Sequence, residues 1–222
     1  MSDIPKLLEP EALAVLLDQP NILIVDLCND VLYSKKHIPG AVHISSKELM
    51  SGSVPGPNKL PPKERLEAMV NSIGLTEDKH VVVYDDEGGG WAGRFIWTLD
   101  VIGHKNWSYL NGGLIAWHNE GFPTTTDVPE PEAVERNITI DRTPIIEAEE
   151  IMAQLDSGNL QIWDARTPEE YSGERGVAER NGHIPGAINC NWTNMMDFKR
   201  NQRILEDAKE RLAALGIHSD KP

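Results

Sequence analysis

The chain has 222 residues and a formal net charge of −14 at pH 7, from 21 basic and 35 acidic side chains. This acidic balance argues against nucleic acid or an anionic membrane as a partner, but a local positive pocket could still bind a small anion. The two cysteines, Cys28 and Cys190, lack the spacing of a disulfide framework or a zinc site, so no metal is expected. Neither a signal peptide nor an apolar run of membrane-spanning length is present, which favours a cytoplasmic protein.

Helix and strand patterns alternate along the first half of the chain. The predicted elements are a helix over 9–18, a strand over 22–26, a helix over 62–74, a strand over 81–84, a helix over 91–102, a strand over 107–110 and a short helix ending at Gly121. Continuous apolar strands separated by helices are typical of a parallel sheet that is covered on both faces. The sequence therefore predicts an α/β fold.

The pentapeptide His-Ile-Pro-Gly-Ala occurs twice, at His37–Ala41 and at His183–Ala187. Each copy follows an apolar strand that ends in an aspartate, Asp26 in the first half and Asp164 in the second. A repeat of this length indicates two copies of a whole domain. We expect a first domain over 1–124, a linker rich in Thr, Pro and Glu over 125–143, and a second domain over 144–222.

The second copy is expected to be incomplete. Aligning Gly74 with Gly216, each at the end of a predicted helix, places Pro222 on His80. The counterpart of the strand Val81–Tyr84 is therefore expected to follow Pro222.

Four groups of residues resemble the rhodanese family of sulfurtransferases, in the tandem-domain form known from bacteria. They are Asp164–Tyr171, the two His-Ile-Pro-Gly-Ala copies, Val81–Arg94 and Leu110–Gly113. The resemblance implies two rhodanese-like domains, of which the first is catalytically silent. It also implies a cysteine in the second domain that takes sulfane sulfur from thiosulfate as a persulfide and passes it to a thiophilic acceptor, cyanide or a thiol.

A thiolate nucleophile needs a lowered pKa, which a loop leading into a helix N-terminus can supply through its backbone N–H groups. In the first domain the residue after Val81–Tyr84 is Asp85, followed by Asp86 and Glu87. A carboxylate cannot form a persulfide, so we expect this domain to be silent. The nucleophilic cysteine of the second domain is expected just beyond Pro222, and the chain as given is expected to be inactive.

Three residues of the second domain are predicted to bind substrate. Arg166 takes the place that Cys28 has in the first copy, and the resemblance puts it at the active-site rim, where it can pair with Glu170 or with an anionic donor. Trp192 resembles a tryptophan that borders the active-site loop. The alternatives are a surface ion pair for Arg166 and core packing for Trp192, and Glu174 and Arg175 are weaker candidates for the rim.

Residue types present in both copies are predicted to serve the fold. Asp26 and Asp164 are expected to bond to loop backbone, and His37 and His183 to belong to the scaffold.

The cysteines are also predicted to be non-catalytic. Cys190 aligns with Ile44, which favours a small buried hydrophobic residue, and Cys28 lies just past a strand with no activating His or Lys.

Two alternatives remain at the level of function. Gly88–Gly93 matches the dinucleotide pattern G-x-G-x-x-G, but acidic residues precede it and none stands about 20 positions later. No cofactor is therefore expected. The rival to an enzyme is a non-catalytic rhodanese-fold interaction or regulatory module.

Overall fold

The computed structural model describes residues 4–54, 56–176 and 180–218, which fall into two compact units. The first unit comprises Met1–Pro144 and Lys199–Arg203, and the second comprises Ile145–Phe198 and Ile204–Pro222. The predicted alignment of Pro222 with His80 lies outside the described residues.

The first unit is built on a five-stranded parallel sheet. Its strands are β1 (Leu7–Leu8), β2 (Ile22–Asp26), β3 (Val42–His43), β4 (His80–Tyr84) and β5 (Trp107–Leu110). They lie in the order β1-β5-β4-β2-β3, so β4 is central. Val81, Val82 and Val83 are completely buried, as expected for an apolar strand with helices on both faces.

Helices connect these strands. They are α1 (Pro10–Ala14), α2 (Asp30–Lys35), α3 (Lys63–Ser72), α4 (Gly90–Val101) and α5 (Gly113–Asn119), with a 3-10 turn at Ser46–Leu49. Helix α2 was not predicted from the sequence; the side chain of Asn29 caps it by accepting a hydrogen bond from the N–H of Leu32 at 3.0 Å. The predicted α/β class, with a parallel sheet flanked by helices, is confirmed.

The segment 125–143, predicted as a linker, is part of the first unit. The backbones of His37 and Thr125 exchange two hydrogen bonds of 2.9 Å. Further along, Ile138 is buried and its N–H donates to the Glu67 carboxylate at 3.0 Å. The segment has no helix or strand of its own, but it is held to the first unit through backbone contacts.

The second half of the chain contains shorter elements. They are α6 (Ala148–Gln154), β6 (Trp163–Asp164), α7 (Pro168–Ser172), β7 (Ile188–Asn189), β8 (Met196–Asp197), β9 (Arg203–Ile204) and α8 (Ala208–Ala214), with 3-10 turns at Leu155–Ser157, Trp192–Met195 and Phe198–Arg200. The apolar strand predicted to end at Asp164 is β6, which is two residues long and, in the described residues, pairs with β7 alone.

The histidines of the two His-Ile-Pro-Gly-Ala copies make the same contacts, although His37 is buried and His183 is exposed. His37 stacks on Tyr33 with ring centroids 4.0 Å apart, and His183 stacks on Tyr171 at 3.6 Å. In each copy Nδ1 of the histidine bonds to the carbonyl of its tyrosine, at 2.8 and 2.7 Å. These repeated contacts support the predicted scaffold role of both histidines.

Candidate functional site

The loop after β4 folds around the carboxylate of Asp85, the first residue beyond the strand. Its Oδ1 accepts hydrogen bonds from the backbone N–H groups of Glu87, Gly88 and Gly89 at 3.2, 3.1 and 2.8 Å. Its Oδ2 accepts a fourth from Ala92 at 3.0 Å. Gly88 and Gly89 have φ values of 93° and 106°, which glycine adopts readily and other residues do not. We call these four N–H groups the Asp85 nest.

The Asp85 nest stands at the N-terminus of α4, where backbone N–H groups and the helix dipole favour a negative charge. Asp85 is fully buried, and burial raises its pKa while the N–H groups of the nest act in the opposite direction. The N–H of Leu114 donates to the Asp85 carbonyl at 2.9 Å, and a Cβ on Gly113 would lie 2.2 Å from that oxygen. The start of α5 therefore contacts the loop and holds it in place. The carboxylate of Asp85 accepts the hydrogen bonds that an external anion would otherwise accept.

This geometry also bears on the dinucleotide alternative. A pyrophosphate on the loop Gly88–Gly93 would need the backbone N–H groups at the start of α4. Four of those groups already donate to Asp85. The N–H groups of this loop are thus already bonded to the chain's own carboxylate.

A cavity of about 350 Å³ lies beside this loop in the first unit. Three of its lining residues are acidic, Asp30, Asp86 and Glu87, and one is basic, Lys47. Burial raises the pKa of Glu87, and the neighbouring Asp85 and Asp86 raise it further. The negative balance of the lining opposes the binding of a dianion such as thiosulfate.

Cys28 lines the same cavity, yet its side chain is only 1% exposed. Burial raises the pKa of its thiol, and the adjacent Asp26 carboxylate raises it further. Asp26 accepts a hydrogen bond from the Cys28 N–H at 2.7 Å and another from the hydroxyl of Tyr84. Burial and the raised pKa thus both work against thiolate formation at Cys28, and Asp26 bonds to loop backbone as predicted.

Cys190 is buried in the second unit, with 4% exposure. Its N–H donates to the Asp164 carbonyl at 3.1 Å, just as the N–H of Ile44 donates to the Asp26 carbonyl at 3.0 Å. The predicted alignment of Cys190 with Ile44, and its role as a small buried hydrophobic residue, are confirmed.

The second unit contains a cavity of about 280 Å³ with the opposite charge. Its charged lining residues are Arg166, Arg175 and Arg180 against Glu170. A larger cavity of about 710 Å³ in the same unit also includes Arg166 and Arg180, beside Asp164. Guanidinium groups around a concave surface suit a small oxyanion, because each presents several N–H donors.

Arg166 is held by Asp164. The guanidinium Nε and Nη2 lie 2.9 and 2.5 Å from the two carboxylate oxygens, and Nη2 also donates to the Gly182 carbonyl at 2.8 Å. The bond from Arg166 lowers the pKa of Asp164. The hydrogen bond to Asp164 is the main cause of the raised pKa of Arg166, and Glu170 lies near enough to raise that pKa further by its charge.

Glu170 lines the arginine cavity and also caps α7. Its carboxylate accepts hydrogen bonds from the N–H and hydroxyl of Thr167 at 3.1 and 3.0 Å, which lower its pKa. Trp192 begins a 3-10 turn, and its N–H donates to the carbonyl of Ala165, the residue before Arg166, at 3.0 Å. The structure thus places Arg166 and Glu170 on one cavity, whereas Trp192 is not among the lining residues of the two cavities described above.

Arg180 was not predicted from the sequence. Tyr171 and His183 are 12 positions apart, whereas their counterparts Tyr33 and His37 are 4 apart, so Arg180 lies in a longer stretch that has no equivalent in the first copy. This difference between the two copies could have identified Arg180 as a candidate from the sequence. Arg175, a weaker candidate, lines the same cavity.

Among residues 4–54, 56–176 and 180–218, no three His, Cys, Asp or Glu side chains come together as a metal site. No helix there is long and apolar enough to cross a membrane.

Residues 9–120 and 147–222 match the Rhodanese-like domain family. The chain belongs to the rhodanese family. Its relatives include the rhodaneses of Azotobacter vinelandii and Pseudomonas aeruginosa, both named thiosulfate sulfurtransferase. They are 43% and 44% identical to it over 220 residues, which is 99% of this chain and 81% of each relative.

A solved rhodanese structure supports the same assignment. SseA from Escherichia coli, a 3-mercaptopyruvate sulfotransferase, is 28% identical with a TM-score of 0.86, over 98% of this chain and 86% of that one. The predicted resemblance to tandem bacterial rhodaneses is therefore confirmed.

Proposed function

We propose that this rhodanese is a sulfurtransferase whose second unit carries the chemistry and whose first unit is catalytically silent. The Asp85 nest is the observation that carries the proposal. It has the backbone geometry that would stabilise a thiolate, a persulfide or an anionic donor, but a carboxylate fills it. The acidic cavity beside it would also repel an anionic donor.

The nucleophile is proposed to be a cysteine at the second unit's counterpart of Asp85. Its thiolate attacks the outer sulfur of thiosulfate, the S–S bond of the donor breaks, and sulfite leaves with the bonding electron pair. The enzyme then holds a persulfide. Cyanide or a thiolate attacks the terminal sulfur, which leaves as thiocyanate or a new persulfide, and the enzyme thiolate is regenerated.

The arginine cavity of the second unit is the proposed site for the sulfur donor. Arg166, Arg175 and Arg180 would attract a dianion, and Arg166 is oriented by Asp164. Trp192 remains a predicted border residue of the active site, although it lines neither cavity described above.

Turnover by the 222-residue chain tests the location of the nucleophile. Thiocyanate formation from thiosulfate and cyanide is measured for the chain and for its Cys28→Ser and Cys190→Ser variants. Neither buried cysteine should be converted, so we expect no thiocyanate and no mass gain of one sulfur atom by mass spectrometry. Turnover that disappears in one of the serine variants would move the nucleophile to that cysteine.

Donor binding separates the enzyme from the rival, a non-catalytic interaction module. Thiosulfate is titrated into the chain and followed by NMR, with Arg180→Ala as the test variant and Arg65→Ala as the control. We expect saturable binding in the second unit that weakens about tenfold in the Arg180 variant and persists in the control. Absence of binding, or binding in the first unit, would favour the non-catalytic module.

A further inference from the structure

Asparagine followed by glycine occurs twice in the chain, at Asn111–Gly112 and at Asn181–Gly182. This dipeptide is prone to spontaneous loss of ammonia, because glycine has no side chain to hinder attack of its backbone nitrogen on the asparagine carboxamide. The attack requires that the carboxamide can turn toward the next peptide bond. Burial and hydrogen bonding of the asparagine therefore decide whether a given site reacts.

The first of these sites is held in place. Asn111 is 3% exposed, its N–H donates to the Leu8 carbonyl at 2.8 Å and its Nδ2 donates to the Glu9 carboxylate at 2.6 Å. Gly112 has a φ of 80°, and a Cβ there would lie 2.6 Å from the Cβ of Ala116. Closure of a ring between Asn111 and Gly112 would break these contacts, so this asparagine should be stable.

The second site is open. Asn181 is exposed, and in the described part of the chain neither its side chain nor the N–H of Gly182 forms a hydrogen bond. A Cβ built on Gly182 would have no heavy atom within 4 Å. The residues before the aligned His37, Ser34 and Lys35, are also exposed in the first unit, where the sheet has five strands. Exposure before the histidine is thus a feature of both copies.

Asn181 also faces the arginine cavity. It lines that cavity of about 280 Å³ together with Arg166, Arg175 and Arg180. A Cβ on Gly176, another lining residue, would lie 2.3 Å from the Oδ1 of Asn181, so the carboxamide oxygen lies against the cavity wall. A change of charge at this side chain therefore acts on the field of the three arginines.

We propose that Asn181 is a site of spontaneous deamidation, which puts a negative charge on the arginine cavity. The backbone nitrogen of Gly182 gives up its proton and bonds to Cγ of Asn181. The bond from Cγ to the side-chain nitrogen then breaks, and ammonia leaves with the bonding electron pair and the proton. Water opens the cyclic imide at either of its carbonyls, which yields aspartate or isoaspartate. The reaction needs no oxidant.

Deamidation has two consequences for the cavity, and both rest on its proposed function as the donor site. A carboxylate at position 181 offsets part of the positive field that attracts a dianion. Isoaspartate also lengthens the backbone by one methylene before Gly182, whose carbonyl accepts a hydrogen bond from Nη2 of Arg166 at 2.8 Å. Deamidation should therefore weaken donor binding.

The site is tested by incubating the 222-residue chain at alkaline pH and following its tryptic peptides by mass spectrometry. Aspartate differs from asparagine in mass, and isoaspartate is separated by elution. We expect conversion at Asn181 to be at least about tenfold faster than at Asn111, the internal control. In urea, where Asn111 is no longer held, the two rates should converge. Equal rates in the folded protein, or an intact Asn181, would overturn the site.

The effect of the charge is tested with Asn181→Asp, and Asn181→Gln is the control because it keeps a neutral amide. Thiosulfate is titrated into each variant and followed by NMR. We expect binding to be about fivefold weaker in Asn181→Asp and unchanged in Asn181→Gln. Equal affinity of the two variants would overturn the effect on the cavity. A chain that binds no thiosulfate would overturn that effect and the proposed function, whereas the deamidation site is decided by mass spectrometry alone.

Discussion

At the scale of single residues, one position distinguishes the copy proposed to be silent from the copy proposed to be reactive. The loop around Asp85 keeps the features that an anionic nucleophile needs, with glycines at positive φ, converging N–H groups and a helix N-terminus. The side chain placed there is a carboxylate, which accepts the same hydrogen bonds as a thiolate but forms no persulfide. The proposed loss of catalysis in the first unit would thus need no change of fold.

We expect the carboxylate of Asp85 to stabilise the first unit. In Asp85→Ala four N–H groups lose their acceptor, so we expect the free energy of unfolding of the first unit to fall by about 3 kcal/mol. Urea titration followed by far-UV circular dichroism measures the loss. The neighbouring Asp86→Ala is the matched control and should change stability by less than about 0.5 kcal/mol. Equal stability of the two variants would mean that the nest does not depend on its carboxylate.

A second residue-scale difference concerns the aspartates that end β2 and β6. Asp26 accepts a hydrogen bond from the hydroxyl of Tyr84 on the central strand, whereas Asp164 pairs with Arg166. Each also accepts the N–H two residues further on, at 2.7 and 3.1 Å. Both aspartates therefore bond to loop backbone. Their side-chain partner differs, because it is a tyrosine hydroxyl in the first unit and an arginine in the second.

At the scale of elements, the segment Lys199–Arg203 belongs to the first unit although it lies within the second matched stretch of sequence. The guanidinium of Arg203 has 8% exposure and contacts two carboxylates, with Nε 2.8 Å from Glu9 and Nη2 2.9 Å from Glu120. A Cβ on Gly112 would lie 2.6 Å from the Asn201 carbonyl, so the contact is close. One arginine thus ties the start of α1 to the end of α5.

Removal of Arg203 should destabilise the first unit in a pH-dependent way. Hydrogen bonding to Arg203 lowers the pKa of Glu120, so this pair stabilises the fold above the usual carboxyl pKa and loses its effect as the pH falls through the lowered value. We expect Arg203→Ala to cost about 2 kcal/mol at neutral pH and much less near pH 3. Denaturant titrations at both pH values measure the difference.

Lys63→Ala is the control for that experiment, since Lys63 forms an exposed i, i+4 pair with Glu67. It should cost less than about 0.5 kcal/mol. Arg203→Lys keeps the charge but not the forked contact, so an intermediate loss is expected. If all three variants lose equally, or if the Arg203→Ala loss is the same in acid, the contact is not electrostatic.

Local patterns made much of the fold predictable. The strands β2, β4 and β5 were predicted from apolar runs, and the alignment of the two sequence copies matched Cys190 with Ile44. The capping pattern Thr167-x-x-Glu170 was also local, so α7 could have been predicted, and the capping role of Glu170 with it. The contact of Arg203 with Glu9 could not have been predicted from the sequence, because 194 positions separate the two residues and no periodicity connects them.

At the scale of the whole molecule, burial is distributed unequally between the two units. The apolar side chains buried in the described part of the second unit are Ala187, Cys190 and Met196. Large apolar side chains of that unit with at least 38% exposure are Ile146, Met152, Trp163, Ile184, Phe198 and Leu215. The first unit, in contrast, buries three consecutive valines of β4 completely. Hydrophobic stabilisation scales with buried apolar area, so the second unit has much less of it.

We therefore expect the 222-residue chain to unfold in two steps on heating. The second unit should unfold first, with a small enthalpy, and it should bind the dye ANS at temperatures where the first unit is still folded. Differential scanning calorimetry and ANS fluorescence on one sample measure both effects. Asp85→Ala should shift only the later transition, whereas Cys190→Ser, at a buried site of the second unit, should shift only the earlier one. A single cooperative transition without ANS binding would show that the exposed apolar residues of the second unit do not limit its stability.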